Sequence, residues 1–245
     1  MKIRVGRRIA WLLLLCVACA GVAIAETPPA VRSRVEIEGY PTPDVPERAA
    51  EAGYFADVVL VGDSLASGIP LYEVMPELEV MSKIGLSARG ALTEKYFKVD
   101  GSDKRVLLRD ALLARQPRAI YLWLGLNGVE GSASSLVLAN YHLLLNHLLE
   151  ALPDTVFYIV ELTPVQKKAK DKHSMLTNGN VDRFNAGLRV LAQEHNVYIL
   201  PINALLRTSD NVLSTKHGAS DGYHIRKSGY TILVEYLRTH TVPLN

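Results

Sequence analysis

The sequence is poor in cysteine. Its 245 residues contain two, Cys16 and Cys19, and both fall in the first 25 positions. The rest of the chain therefore offers no disulfide, no thiolate nucleophile and no cysteine metal ligand, so its stability must come from core packing. Charge of one sign is also scarce. Lys2, Arg4, Arg7 and Arg8 account for the basic excess. With these four set aside, 23 of the 27 Lys and Arg remain against 25 Asp and Glu, a net charge of −2. Nothing in that balance points to nucleic acid. Internal repeats and low-complexity tracts are lacking as well, which excludes repeat arrays. What the chain has is apolar content, 49% of residues. That is enough for a full core and argues against general disorder. The length fits one large domain.

The four basic residues lead into Ile9–Ala25, an uncharged, mostly apolar run that ends in Ala23-Ile24-Ala25. A basic head, an apolar stretch and a small-x-small end read as a secretory signal peptide, residues 1–25. An uncleaved anchor is the alternative, but the run is at the short limit for a spanning helix. A lipoprotein would use Cys19, yet Cys16 stands where a bulky aliphatic residue is expected. The expected location is therefore outside the cytoplasm, periplasmic or secreted, with no stable membrane span after cleavage.

Residues 26–53 carry Pro28, Pro29, Pro41, Pro43 and Pro46 and no sustained period. They read as a linker or an N-terminal arm over the domain surface. The domain is expected over residues 54–245. Val58–Gly62 reads as a short buried strand. A second strand, marked by Leu78, Val80, Met81 and Ile84, ends at Gly85. Further strands are expected at Ala119–Leu124, Thr155–Val160 and Val197–Leu200. Helices are expected at Ala88–Phe97, Lys104–Arg115, Ser132–Leu152, Val181–Glu194 and Lys227–Thr239. In the long helix, Leu136, Tyr141, Leu144, Leu145 and Leu148 form the inner faces; Phe184, Leu188, Val190 and Leu191 do so in the next. Short apolar strands alternating with helices predict an α/β domain. It is a three-layer α/β/α, flavodoxin-like doubly wound parallel sheet of about five strands.

In such a sheet, sites lie at the carboxyl ends of the strands. Ser64 follows the first strand, where a tight turn and a helix N-terminus are expected, and free N–H groups there favour negative charge. A serine hydroxyl becomes a nucleophile once a base takes its proton. His224 can do this near neutral pH. Asp221, three residues earlier, can hold the other imidazole N–H. The tetrahedral oxyanion needs donors, and the N–H groups of Ser64 and Gly85 and the side-chain amide of Asn127 can converge on that edge.

These residues together resemble the SGNH/GDSL hydrolases, also called GDSL-like lipases or acylhydrolases. Gly62-Asp63-Ser64-Leu65 matches the first block, Gly85 the second and Gly125-x-Asn127 the third. Asp221-x-x-His224 matches the fifth, and Gly229-Tyr230 follows the same pattern. The resemblance spans residues 55–240. It implies Ser64, Asp221 and His224 as the catalytic residues and Ser64, Gly85 and Asn127 as the oxyanion hole. It implies no metal and no cofactor. One position departs: Gly128 stands where the family usually has Asp, which leaves open how firmly that loop is held.

Other residues carry blander readings. Asp63 reads as a turn hydrogen-bonder, Trp123 as core, and Tyr223 as a pocket or packing residue beside His224. His217 with Asp221 and His224 imitates a metal cluster, but the serine constellation explains two of the three better. His142 and His147 read as surface or satisfied interior groups of the long helix. His173, His195 and His240 stand in polar surroundings. Lys167–His173 reads as a solvated loop, with attraction of an anionic glycan as its alternative. The expected activity is that of an exported serine esterase. It would remove short acyl esters, such as acetyl, from carbohydrate or cell-envelope substrates. The expected partner is thus an ester substrate, possibly an acylated polysaccharide. The alternatives are a lipase or lysophospholipase, a carbohydrate O-acyltransferase, and a non-catalytic glycan-binding envelope protein.

Overall fold

The computed structural model describes residues 44–244. The expected signal peptide and most of the proline-rich segment, residues 1–43, lie outside the described residues. In chain order the strands are β1 (Val58–Gly62), β2 (Glu79–Ser82), β3 (Phe97–Lys98), β4 (Arg105–Val106), β5 (Ala119–Trp123), β6 (Val156–Val160) and β7 (Tyr198–Leu200). The helices are α1 (Gly68–Leu71), α2 (Ala88–Thr93), α3 (Leu108–Arg115), α4 (Leu126–Val129), α5 (Ser134–Ala151), α6 (Ala169–Lys172), α7 (Asn178–Glu194), α8 (Asn203–Leu206) and α9 (Lys227–Thr239).

Five strands form one parallel sheet in the order β2-β1-β5-β6-β7. Numbered along the chain, that is the 2-1-3-4-5 order of a flavodoxin-like sheet, whose switch point lies between β1 and its neighbour β5. Helices α2, α3, α5 and α7 pack together as one layer, and α1, α8 and α9 as the other. The result is the expected three-layer α/β/α fold. β1 and β5 are buried at every position, as covered parallel strands must be. In α9, Tyr230, Leu233, Val234 and Leu237 form the buried stripe, the i, i+3, i+4, i+7 pattern of an amphipathic helix. The register pairs Gly62 with Ser82 on one side and with Trp123 on the other. The turns after β1, β2 and β5 therefore leave the sheet at one level, which assembles the site.

Several local expectations need correction. Ile84 lies beyond β2 and is exposed, because the strand already ends at Ser82. The expected helix over Lys104–Arg115 starts only at Leu108, since Lys98 and Arg105 pair, as do Phe97 and Val106, in a small antiparallel hairpin. Leu136 and Val190, expected on inner faces, are exposed. Val137 packs inward in place of Leu136. The Lys167–His173 stretch is not a fully solvated loop, since it contains the turn of α6 with Ala169 buried. Asp44 bridges Ile199 and Arg48 bridges His240, both in parallel. The Arg48 and Ala50 N–H groups donate to Thr239 and Arg238 carbonyls at 2.7 Å. The segment before Tyr54 is thus hydrogen-bonded to the end of the chain from Asp44 onward.

Candidate active site

β1 delivers Asp63 and Ser64 to the sheet edge. Asp63 is fully buried. Its Oδ1 accepts the Leu65 N–H at 2.9 Å, and its carbonyl accepts the Ser67 N–H at 3.2 Å. The Tyr230 hydroxyl, from α9, donates to the Leu65 carbonyl at 2.7 Å. Ser64 is therefore held by a turn clamped from inside. The expected helix does not begin at Ser64; a turn intervenes and the four-residue α1 starts at Gly68.

His224 reaches Ser64 across 160 positions of sequence, with Nε2 2.8 Å from Oγ. Its Nδ1 is 2.8 Å from Asp221 Oδ2. The other Asp221 oxygen accepts the N–H groups of Tyr223 and His224, both at 3.0 Å. Burial raises the Asp221 pKa, but the hydrogen bonds from the His224 side chain and the two N–H groups outweigh it and hold the carboxyl below its ordinary value. An ionised Asp221 fixes the imidazole with Nδ1–H toward itself and leaves Nε2 to accept the Ser64 proton. The loop is tied down where the Gln166 N–H donates to the Gly222 carbonyl at 2.7 Å and the Ala219 N–H to the His224 carbonyl at 2.8 Å. Beside it stands the α6 segment, whose His173 ring packs edge-on against Tyr223 at 5.4 Å.

The side of the site that holds Gly85 and Asn127 carries an arrangement that sequence alone did not reveal. The Asn127 amide donates to Asp63 Oδ2 at 2.9 Å and to the Leu86 carbonyl at 3.2 Å. Both amide hydrogens are thus engaged, and they tie the turn after β1 to the turn after β2. Among the described residues, the N–H groups of Ser64 and Gly85 donate to no protein group. Gly85 has φ +80°, a left-handed conformation that side chains disfavour. Asn127 is thus bonded to the residue before Ser64 and to the residue after Gly85, while the Ser64 and Gly85 N–H groups stay unspent. Asp63 pays for its burial in acidity: desolvation raises its pKa to about 7 despite the donors at Leu65 and Asn127, with Glu130 adding to the rise.

The Gly128 departure has a steric reason. A Cβ at Gly128 would lie 2.5 Å from Cγ1 of Val137 on α5. The loop is nonetheless held, since the Gly128 and Val129 N–H groups both donate to the Gly125 carbonyl, at 3.0 and 2.9 Å. Beside Asn127 and Gly128 lies a shallow pocket of about 150 Å³, lined also by Ser87, Arg89, Ser132 and Asn140. Sequence reasoning singled out none of those four, because no spacing marks a pocket wall. His217 does not join a metal cluster with Asp221 and His224; its Nδ1 pairs with the Ser228 hydroxyl at 3.0 Å.

Residues 60–232 match the model of the GDSL-like lipase/acylhydrolase family. The chain belongs to that family. No curated protein matches it. Among solved structures, the chain is similar to a GDSL-like lipase from Bacteroides thetaiotaomicron, with 14% identity and a TM-score of 0.59 over 77% of this chain and 89% of that one. It is also similar to an acetyl xylan esterase, with 16% identity and a TM-score of 0.53 over 74% and 96% of the two chains. The periplasmic domain of a lipopolysaccharide acetyltransferase from Salmonella ser. Paratyphi A matches with 16% identity and a TM-score of 0.51, over 74% and 82%. At these identities the likeness shows a shared fold. None of the described helices is long and apolar enough to cross a membrane.

Proposed function

We propose that this acylhydrolase is an exported serine esterase that removes short acyl groups, acetyl above all, from carbohydrate or cell-envelope esters. One observation carries the reading: the Ser64–His224–Asp221 relay, with both contacts at 2.8 Å. Ser64 Oγ attacks the ester carbonyl as its proton passes to His224 Nε2. Asp221 stabilises the imidazolium. The Ser64 and Gly85 N–H groups receive the oxyanion, and Asn127 joins them by exchanging the Leu86 carbonyl for it. The C–O bond to the alcohol breaks as His224 returns the proton to that oxygen. Water then attacks the acyl-serine by the same route, releasing the acid and restoring Ser64.

The preference for a short acyl group rests on the proposed export and on the relatives with this fold, and the small pocket beside Asn127 is in keeping with it. At about 150 Å³ that pocket falls below the roughly 300–1,000 Å³ of sites that enclose drug-sized ligands. Its walls mix hydroxyl and amide groups with the apolar side chains of Ala88, Leu136 and Val137. The acetyl xylan esterase and the acetyltransferase domain on the same fold are in keeping with an acetylated polysaccharide. Export rests on the basic head and apolar run of residues 1–25.

The test compares p-nitrophenyl acetate with p-nitrophenyl octanoate, beside Ser64→Ala. The expected result is turnover favouring acetate, and a loss in the variant of about 10⁴-fold or more. Preference for octanoate moves the assignment to a lipase. A folded protein with no turnover and no labelling of Ser64 by a fluorophosphonate removes the hydrolase reading and directs attention to acyl transfer or glycan binding.

A further inference from the structure

A second cluster of chemistry-bearing side chains lies away from Ser64. His142 stands within α5, and His195 closes the C-terminus of α7 shortly before β7 begins. It therefore lies toward the edge where the strands start, whereas Ser64 and Asn127 follow strand ends. His195 Nε2 is 3.4 Å from His142 Nδ1, and the two rings cross at 68°. The Glu194 carboxylate completes the group, with one ligand atom from each residue lying within 4.8 Å of the others. Among the described residues no other trio of His, Cys, Asp or Glu converges in this way.

We propose that His142, His195 and Glu194 form a binding site for a divalent transition cation of the Zn²⁺ class, bridging α5 and α7. The ordinary reading is a histidine pair satisfied by its own hydrogen bond. The distance argues against it, because N–H hydrogen bonds cluster at about 2.7–3.2 Å. Two imidazole nitrogens on one tetrahedral Zn²⁺, each about 2.0–2.1 Å from the metal, stand about 3.3–3.4 Å apart. The observed separation matches that bite. Two half-buried rings fix the first two positions. Glu194 is exposed and free to rotate its carboxylate inward by the remaining ångström or so, leaving a fourth position for water. Two nitrogens and one oxygen suit zinc, nickel or copper rather than magnesium or calcium. Burial first, and then His142, lowers the His195 pKa, which favours the neutral ring that a metal needs. None of the three residues touches the Ser64 site, so the cation here is structural: it staples two packed helices of one layer.

The test uses the full chain without an affinity tag, titrated with Co²⁺ by visible absorption and with Zn²⁺ by calorimetry. Melting is followed in Zn²⁺ and in EDTA. The expected result is one saturable site with a tetrahedral Co²⁺ spectrum that Zn²⁺ displaces. Saturating Zn²⁺ should raise Tm by about 5 °C. His142→Ala and His195→Ala should each weaken Zn²⁺ binding by more than about tenfold and abolish the Tm rise, while ester turnover stays unchanged. If a variant fails to fold, selective broadening of the His142 and His195 ring signals by Co²⁺ in the parent protein decides the question. No saturable binding up to about 1 mM, binding that both variants retain, or broadening confined to other histidines overturns the proposal.

Discussion

The two halves of the site are held in opposite ways. The serine half is buried and tied over long range: Asp63 is inaccessible, Asn127 reaches it from behind β5, and Tyr230 reaches the turn from α9. The histidine half is mainly local and half-exposed: Asp221 holds a side chain three residues away and accepts two N–H groups of its own loop, with one long-range bond from Gln166 to Gly222. The carboxylates record the difference. Asp63 is pushed up to about 7 by burial, while Asp221 is held below its ordinary value by the hydrogen bonds it accepts. One half spends stability to keep donors in place. The other gains stability from the charge its chemistry needs.

Asp221→Asn sharpens this contrast most strongly. It removes the charge and favours the wrong imidazole tautomer, so kcat should fall about 10³–10⁴-fold. Melting at pH 7 should barely move, because the group is partly exposed. A fall below about tenfold would show that the Asp221 contact is incidental.

Asn127→Ala should act on both rate and stability. On the proposed mechanism it removes one oxyanion donor, which lowers kcat about 10²–10³-fold with KM little changed. Asp63 also loses a buried donor, which costs about 1–3 kcal/mol measurable by urea unfolding at pH 8. Loss of rate without loss of stability would break the picture of a strung-together serine half.

Stability against pH distinguishes the halves by sign. The folded pKa of Asp63 is raised, so its contribution is fullest below the ordinary value of 3.8 and is lost as pH rises to about 7. Asp221 is shifted the other way, so its contribution is present above 3.8 and is lost as pH falls through its lowered folded value. Relative to the parent, Asp63→Asn should therefore gain stability between pH 4 and pH 7, by about 4 kcal/mol at most. Asp221→Asn should instead show a small deficit above pH 3.8 that closes as pH falls through the lowered folded value. Identical limbs in the two variants would refute the assignment.

The smallest effect belongs to Gly128→Ala. Its Cβ meets Val137, and such overpacking costs about 1–3 kcal/mol. Val137→Ala in the same chain should recover part of it. If Gly128→Ala alone is neutral in thermal unfolding, Val137 is not the reason for glycine there.

The sheet could be read from the sequence because β1, β5 and β6 are covered on both faces and so appear as unbroken apolar runs. β2 is an edge strand with partly exposed positions, and its boundary was correspondingly blurred. The β3–β4 hairpin has two residues per strand, too few to show any alternation. The residues of the relay were visible because the chemistry demands particular side chains and because their spacing and order resemble the family's blocks. The double engagement of Asn127 was not visible. It depends on the turns after β1 and β2 leaving the sheet at one level, a consequence of register that no local pattern carries. Val137 as the cause of Gly128 was hidden for the same reason, since an adjacent helix sets that contact.

The Tyr230–Leu65 contact and the His224–Ser64 contact span 165 and 160 positions. Synthesis is vectorial, so the first turn of the domain waits for its last helix. A nascent or truncated polypeptide ending before Asp221 carries Ser64 without His224 and without the Tyr230 clamp on its turn, and one ending just before α9 still lacks the clamp. On the proposed mechanism, the Ser64 turn is complete only once the segment from Asp221 through α9 has docked.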